Sequence, residues 1–406
     1  MAVGLQAVSS LEAVNGIRIG VCEAGIRYKN RRDLVVFEIS ENAAVAATFT
    51  RNAFCAAPVQ VAREHLASNT PRYLLINTGN ANAGTGERGY ADAQRSCEIL
   101  AQQTGIASEQ VLPFSTGVIG EFLPMEKLES GIGKALSALN ADAWVEAAKG
   151  IMTTDTLPKG ISDQIEIGGA QIQITGICKG AGMIRPNMAT MLAFVATDAR
   201  IDPELLQQCL SEAVDLSFNR ITIDSDTSTN DSCVLIATQK AEMPIIDDAT
   251  SAEYAMFRMA VISHCQRLAQ MLVRDGEGAT KFMTIEVNSG ANLLECEDVA
   301  FTVAHSPLVK TAFYASDPNW GRILAAIGRS NVPGLNVDKI DVYLNEVCIV
   351  EHGCRASGYT EEQGQNVMNQ SEITVRIELR RGDESATVWT TDFSHDYVTI
   401  NAEYRS

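Results

Sequence analysis

Apolar side chains recur along the chain in two spacings, one typical of strands and the other of helices. Residues 373–379 alternate apolar and polar side chains, which predicts a strand with one buried face. Similar alternation, or a short apolar run between polar residues, predicts strands over 34–39, 43–50, 340–344, 346–350, 387–390 and 397–402. Gly168–Gly169 separates two further alternating segments and predicts the turn of a hairpin.

Apolar residues three and four positions apart predict helices elsewhere in the chain. Asp202–Pro203–Glu204 marks one helix start, because a capping carboxylate, a proline and an acid suit the first turn. The predicted helices cover 91–104, 123–152, 203–218 and 254–274, and the second is interrupted near Gly131, Gly133 and Asn140.

Helices and hairpins are mixed throughout, and this mixture sets the fold class. It predicts a layered α/β (α+β) fold rather than a purely parallel sheet. A chain of 406 residues is long enough for two domains. Because strands become more frequent after Thr280, we predict a larger domain over 1–280 and a smaller strand-rich domain over 281–406.

Composition excludes several classes of protein. The net charge of −18 argues against a nucleic-acid binder, although a small anionic substrate is still compatible with it. No apolar run approaches the roughly 20 residues that span a bilayer, and Met1–Gly4 does not resemble an export signal, so we expect a cytoplasmic protein. The cysteines and histidines show no metal-binding spacing, so we expect reduced thiols and no metal.

The most distinctive candidate chemistry is at Ala189–Thr190, where a loop rich in Gly and Asn meets an apolar segment. If the chain cuts itself between these residues, Thr190 acquires a free amine beside its own hydroxyl, which is a nucleophile with its base built in. The reference pKa of such an amine is about 7.7–8.0, so part of it is neutral near pH 8. For an arbitrary Ala–Thr pair, the start of an ordinary strand is the better interpretation.

The surrounding residues favour the self-cutting interpretation. The segment Lys179–Phe194 is similar to the self-cleaving segment of the ornithine acetyltransferases, also called the arginine-biosynthesis bifunctional proteins. The resemblance covers nearly the whole chain. Further segments resemble that family in family order: Asn77–Gly86, Pro113–Glu121, Ile151–Lys159, Asp224–Ser232, Arg274–Phe282, Ser316–Gly328 and Ile400–Ser406.

The resemblance implies an enzyme that transfers acetyl from N2-acetyl-L-ornithine to L-glutamate through an acetyl-Thr190 intermediate. Acetyl-CoA is implied as a possible second donor, and no metal or organic cofactor is implied. It also implies cleavage into an α chain (1–189) and a β chain (190–406), assembled as an α2β2 heterotetramer. The implied fold is a layered αββα core like that of self-processing aminopeptidases.

The resemblance also assigns roles to individual residues. Thr116 and Gly117 correspond to the oxyanion hole, and cleavage falls between Ala189 and Thr190. The substrate-binding positions are Thr153, Lys179, Thr190, Glu277, Asn401 and Ser406, with Thr154 as the alternative to Thr153. Without the resemblance, most of these residues would be interpreted as turn, surface or helix-end residues.

Two other functions remain open at this point. One is a hydrolase or aminopeptidase that uses the same N-terminal nucleophile and passes the acyl group to water. The other is an amino-acid-binding protein that is never cut. Two fragments on a denaturing gel indicate processing, whereas a single full-length band indicates binding only.

Overall fold

The computed structural model describes residues 2–185 and 191–403. Its strands are β1 (Ile17–Cys22), β2 (Leu34–Ile39), β3 (Ala44–Phe49), β4 (Tyr73–Asn80), β5 (Val111–Val118), β6 (Lys159–Ile167), β7 (Ala170–Lys179), β8 (Leu192–Thr197), β9 (Ile221–Thr222), β10 (Ser232–Ala237), β11 (Phe282–Gly290), β12 (Asp341–Leu344), β13 (Val347–Glu351), β14 (Cys354–Arg355), β15 (Glu372–Glu378) and β16 (Glu384–Thr391). Its helices are α1 (Ala57–Ser68), α2 (Gly86–Thr104), α3 (Met125–Ser137), α4 (Trp144–Gly150), α5 (Pro203–Asp215), α6 (Ala252–Arg274), α7 (Leu293–Ala304), α8 (Pro307–Tyr314), α9 (Trp320–Gly328), α10 (Glu361–Met368) and α11 (His395–Ala402).

The chain forms two compact units. We call Ala7–Asn219 together with Asp226–Leu272 the two-sheet unit. The C-terminal unit consists of Met1–Gln6, Arg220–Ser225 and Val273–Ser406. The domain boundary expected at 280/281 and the mature chains 1–189 and 190–406 stay predictions.

Two sheets pack face to face in the two-sheet unit. One has the strand order β1-β2-β4-β5 and the other the order β3-β10-β8-β7-β6. Phe194 of β8 lies between them, with its ring centroid 5.6 Å from that of Phe37 on β2 and 5.2 Å from that of Phe114 on β5. Apolar residues of both sheets form one buried cluster around these rings, so the core of this unit lies between the sheets.

Helices cover the outer face of each sheet. Leu100 of α2 and Ile132 of α3 pack with residues of the first sheet in a separate buried cluster. On the second sheet, α5 packs on β3 and β10, and His264 and Leu268 of α6 lie against Gly176 of β7. The order of layers is therefore helix, sheet, sheet, helix, which confirms the predicted αββα core and the mixed α/β class.

In the described part of the C-terminal unit, seven strands form a sheet in the order β14-β13-β12-β15-β11-β16-β9. Its apolar cluster joins inward residues of β11, β15 and β16 with residues of α7, α8, α9 and α10. The alternation over 373–379 predicts β15 correctly, and the hairpin of β12 and β13 is also confirmed. The pattern does not predict α7, α8 or α9, so this unit contains more helix than expected.

Two predictions about local structure are wrong. The helix expected to break at Gly131 and Gly133 continues through both in α3. Gly131 is there for packing instead, because a Cβ atom at this position would lie only 2.7 Å from Ala24 Cβ. Residues 397–402 lie in α11 instead of a strand, since the Ser394 side chain caps the helix by accepting the Tyr397 N–H.

Other features agree with the sequence patterns. Gly168 and Gly169 both have positive φ in the hairpin between β6 and β7, and Asp202 caps α5 through the N–H groups of Glu204 and Leu205. All ten cysteines lie in the described part of the chain, and none of them forms a disulfide. Among the helices of residues 2–185 and 191–403, none combines the length and apolar character needed to cross a membrane.

Candidate active site

The end of β7 places a buried lysine against a buried threonine of β5. Lys179 Nζ lies 2.5 Å from Thr116 Oγ1, and the two residues are 2% and 4% exposed. An ammonium group is only a donor, so Thr116 Oγ1 accepts this bond and its own hydrogen is directed elsewhere. The contact brings together two residues that the sequence assigned to the oxyanion hole and the substrate site.

Gly117 lies next to Thr116, where β5 passes very close to β4. Its φ is 137°, and a Cβ atom there would be 2.3 Å from the Gly79 carbonyl carbon and 2.5 Å from the Asn80 nitrogen. Only glycine is compatible with this approach. The pairing of β4 with β5 shifts register at Asn80, so the two strands end in an irregular edge beside Thr116 and Gly117.

Asp155 contacts both the predicted substrate residue Thr153 and the end of β7, where Lys179 lies. The buried carboxylate accepts hydrogen bonds from the Thr153 N–H at 2.9 Å and the Gly180 N–H at 2.7 Å, and it forms an ion pair with Lys159 Nζ at 2.7 Å. Burial alone would raise its pKa, but the charges of Lys159 and Lys179 lower the pKa of Asp155 to about 2. The carboxylate is therefore ionised, and it stabilises two buried lysines.

A second buried acid, Asp231, lies just before β10. Its Oδ1 accepts the Met191 N–H at 2.7 Å, the first backbone group after Thr190. Burial raises the pKa of this carboxyl well above its usual range, although the Met191 N–H and the Lys179 charge oppose the shift. The neighbouring Asn230 side chain donates to the carbonyls of Ala81 and Ser115, which fixes the chain just before Thr116.

The C-terminal unit carries a separate pair of predicted substrate residues. Asn401 Nδ2 donates to Glu277 Oε2 at 2.8 Å, and Glu277 is buried just after α6. Asn401 lies on α11 and also donates to the Tyr397 carbonyl at 3.0 Å. A buried carboxylate held by an amide is a suitable acceptor for the amino groups of an amino acid.

The predicted site residues thus fall into three groups. Thr116, Gly117, Thr153 and Lys179 belong to the two-sheet unit, and Glu277 and Asn401 belong to the C-terminal unit. Ala189, Thr190 and Ser406 lie outside the described residues. All of the assigned roles stay predictions.

The pattern of the ArgJ family matches residues 18–406. The arginine biosynthesis bifunctional protein ArgJ of Pseudomonas syringae pv. tomato is 58% identical over 406 residues, and the match covers all of both chains. The chain belongs to the ArgJ family. The ArgJ protein of Pseudomonas fluorescens is also 58% identical over the full length of both chains.

Membership of the ArgJ family confirms the family predicted from the sequence, and with it an acyltransferase of arginine biosynthesis.

A solved structure of the arginine biosynthesis bifunctional protein ArgJ from Bacillus halodurans is 38% identical to the chain. It covers 52% of this chain and 97% of its own, with a TM-score of 0.49.

The motif assignments did not include Asp155, Lys159 or Asp231 as site residues. Asp155 lies in a run of hydroxyl residues that looks like a turn, and its partner Gly180 is 25 positions away. Asp231 directly precedes the apolar strand β10, and its partner Met191 is 40 positions away. For Asp231, the apolar strand that follows it is the one feature of the sequence that indicates a buried acid.

Proposed function

We propose that this ArgJ-family protein cuts itself between Ala189 and Thr190 and then moves acetyl from N2-acetyl-L-ornithine to L-glutamate. The observation that carries this proposal is the buried contact of Lys179 Nζ with Thr116 Oγ1, beside Gly117. It places a polarised hydroxyl of β5 against the end of β7, the strand that precedes the proposed cleavage segment. An acyl transfer needs donors of this kind where negative charge develops on the carbonyl oxygen.

The first half-reaction forms the acetyl-enzyme. Thr190 Oγ attacks the acetyl carbonyl, and its proton passes to the free α-amine of the same residue. The Thr116 hydroxyl and the Gly117 N–H donate to the tetrahedral oxygen. The C–N bond to ornithine then breaks, the ornithine nitrogen takes the proton, and the acetyl group remains on Thr190 as an ester.

The second half-reaction returns the enzyme to its starting state. The amine of glutamate attacks the ester, the same donors hold the tetrahedral oxygen, and the Thr190 oxygen leaves with a proton. Donor and acceptor use one site in turn, so ping-pong kinetics are expected. Glu277, Asn401, Thr153, Lys179 and Ser406 are proposed to bind the amino and carboxylate groups of the two amino acids.

Acetyl-CoA is proposed as a second acetyl donor, because curated relatives of this length are named bifunctional. We further propose that the enzyme needs no metal or organic cofactor, acts in the cytoplasm, and assembles as α2β2 from the two chains.

A hydrolase that releases acetate would use the same nucleophile, and an uncut amino-acid-binding protein would use none. Family membership favours the transferase over both.

The test follows the acetyl group. Purified protein is incubated with acetyl-labelled N2-acetyl-ornithine, and the β-chain N-terminal peptide is analysed by mass spectrometry. We expect acetyl on Thr190, transfer of the label to glutamate when glutamate is added, and no label in Thr190→Ala, which should also stay uncut. A fully active enzyme that runs as one unbroken chain would overturn the proposal, and label released only as acetate would indicate the hydrolase.

A further inference from the structure

Two charged side chains fix the backbone of Thr153 from opposite ends of the residue. The Thr153 N–H donates to Asp155 Oδ2 at 2.9 Å, and the Thr153 carbonyl accepts from Arg31 Nη2 at 2.9 Å. The same Arg31 nitrogen donates to the Met152 carbonyl at 2.6 Å. Hydrogen bonds to charged groups are stronger than those between neutral groups, so the backbone here is firmly held. Arg31 has no role in the mechanism above.

The segment that carries Arg31 is fixed as well. Arg31 lies in the loop between β1 and β2, where the Asp33 carboxylate accepts the N–H groups of Ala24 at 2.7 Å and Ile26 at 2.5 Å. The Asp33 carbonyl accepts the Thr78 N–H of β4 at 2.9 Å. The loop is therefore attached both to itself and to the sheet, and the Arg31 side chain starts from a fixed point.

The side chain of Thr153 is not used in the same way. Within residues 2–185 and 191–403, the hydrogen bonds of Thr153 are made by its backbone, and its hydroxyl makes none. The residue is partly exposed. A hydroxyl can both donate and accept, and branching at Cβ restricts its direction once the backbone is fixed. This hydroxyl is therefore held in place and is still available to a ligand.

Folding alone does not require an arginine at this place. Met152 and Thr153 are both partly exposed, so water could satisfy their carbonyls. The next residue, Arg32, shows the more ordinary arrangement, a surface ion pair with Glu146 of α4. Arg31 instead directs its charge at two carbonyls of one loop, which indicates a role in the geometry of that loop.

We propose that Arg31 is a positioning residue, which holds the backbone at Thr153 so that the Thr153 hydroxyl meets the amino-acid part of N2-acetyl-ornithine. This inference rests on the proposed function, since it takes Thr153 as a substrate-binding residue. Arg31 acts through Thr153 and does not itself contact the substrate. Such preorganisation reduces the cost of binding, so its loss appears in KM rather than in kcat.

The first test compares Arg31→Met with Arg32→Met at saturating glutamate. Arg31→Met keeps the apolar stem and removes the donors, so KM for N2-acetyl-ornithine should rise roughly tenfold, as expected for one misplaced hydrogen bond. The value of kcat should stay within about twofold. Arg32→Met removes a positive charge from the neighbouring residue and should keep the wild-type KM, because a surface ion pair contributes little.

A double-mutant cycle shows whether Arg31 acts through Thr153. Thr153→Val keeps the shape and removes the hydroxyl, so it should raise KM by a factor similar to that of Arg31→Met. Adding Arg31→Met to Thr153→Val should then raise KM by less than about twofold, since the group that Arg31 positions is already gone. In Thr154→Val, which removes the neighbouring hydroxyl, Arg31→Met should keep its full effect. A purely structural role would give the same effect in both backgrounds.

Arg31→Lys provides a second variant in case Arg31→Met does not fold. One Arg31 nitrogen makes both bonds, so a single ammonium group can replace it in part. The shorter and more flexible lysine should raise KM only about threefold. Urea denaturation of each variant shows whether it is folded, and Arg31→Lys then takes the place of Arg31→Met in the cycle.

The outcomes are distinct. The inference is overturned if Arg31→Met keeps the wild-type KM, if it lowers kcat without raising KM, or if its effect on KM is the same with and without the Thr153 hydroxyl. An unchanged KM in Thr153→Val overturns it too. Acetyl transfer to glutamate still stands in each of these cases. A wild-type enzyme that transfers no acetyl from N2-acetyl-ornithine overturns the proposed function and this inference together.

Discussion

Each of the two units buries a lysine that donates to a threonine hydroxyl, but the two lysines are compensated differently. In the two-sheet unit, Lys179 Nζ contacts Thr116 Oγ1 at 2.5 Å, and the charge of Asp155 acts on it. In the C-terminal unit, Lys310 Nζ donates to Thr390 Oγ1 at 2.9 Å and to the Thr391 carbonyl. Both lysines are fully buried, so the difference lies in their partners.

The partners of the two lysines differ in charge. Asp155 accepts from Lys159 and has a pKa of about 2, so the two-sheet unit buries its lysines together with an ionised carboxylate. The ammonium of Lys310 lies 4.6 Å from the Phe393 ring centroid and its hydrogen-bond partners are neutral oxygens. Burial lowers the pKa of Lys310 to about 7, although Asp392 and Asp224 oppose the shift.

The same type of buried residue therefore has a different environment in each unit. Lys179, which is proposed to polarise the Thr116 hydroxyl, is buried beside an ionised carboxylate, and an opposite charge favours the ammonium form of a lysine. A lysine that only joins α8 to the end of β16 can be satisfied by a hydroxyl, a carbonyl and an aromatic ring. Changing the partners one at a time tests this difference between the two lysines.

The largest effect is expected when the Asp155 carboxylate is neutralised. Asp155→Asn keeps the shape but leaves two buried lysines without their counter-charge, and breaking a buried ion pair costs about 3–5 kcal/mol of unfolding free energy. Urea denaturation should show this as a lower midpoint. Asp33→Asn is the control, because Asp33 also accepts two backbone N–H groups but its described partners include no lysine, so a smaller loss is expected. Equal losses in the two variants would contradict our account of Asp155.

The next effect concerns the two threonines. Thr116→Val removes the proposed oxyanion donor, and losing one such donor costs about 100- to 1,000-fold in kcat. Thr390→Val removes the hydroxyl that Lys310 contacts and should leave kcat within about twofold, because no transition-state charge develops there. Thr78→Val, in register with Thr116 on β4, controls for loss of a buried hydroxyl at the same height in the sheet. Similar kcat values for Thr116→Val and Thr78→Val would count against the oxyanion role.

A smaller effect is expected from Lys310 itself, and it depends on pH. Its pKa falls from an ordinary 10.5 to about 7 on folding, so between these values the unfolded chain binds more protons and stability rises with pH. Lys310→Met should remove this rise, at a cost of about 1–3 kcal/mol for the oxygens left without a donor. Thermal unfolding from pH 7 to pH 10 measures both effects. A wild-type stability that stays constant over this range would show that Lys310 keeps its proton.

The smallest effect is expected at His264 in the two-sheet unit. Burial lowers its pKa below the ordinary 6.5 despite the bond from its Nδ1 to Asp163 Oδ2, so the folded state binds the proton less readily than the unfolded chain. Stability is therefore lost as pH falls below 6.5, with a slope of at most about 1.4 kcal/mol per pH unit. His264→Gln should flatten this acid limb in a thermal scan from pH 7 down to pH 5, and an unchanged limb would assign it to other groups.

The sequence predicts the layers of the two-sheet unit better than the helices of the C-terminal unit. The strand over 34–39 is a short apolar run that is almost entirely buried, and the strand over 373–379 alternates, so both show a strand pattern. In α7 the exposed apolar residues Leu293 and Leu294 stand outside the buried face and obscure its helical spacing. In α11 the branched residues after Tyr397 favour a strand, but the Ser394 cap and the helix that it starts determine the structure. Local preference is overruled there by capping.

The sequence predicts the candidate site only in part, because some of its contacts join residues that are far apart in the chain. Motif resemblance identified Thr116 and Lys179, and the structure adds their direct contact. Asp155 and Asp231 act through backbone groups far away in sequence, and such contacts leave no local periodicity. The residues around Asp155 resemble a turn, and only the apolar strand that follows Asp231 indicates burial.

The close approach at Gly117 limits how this site can vary. Adding even one methyl group at 117 would place a carbon 2.3 Å from the Gly79 carbonyl carbon and would force β4 away from β5. Thr116 lies on the same strand, so its contact with Lys179 depends on this close approach. Random mutation therefore has almost no freedom at this position, and new specificity during evolution would have to arise in the side chains around Gly117 rather than at Gly117 itself.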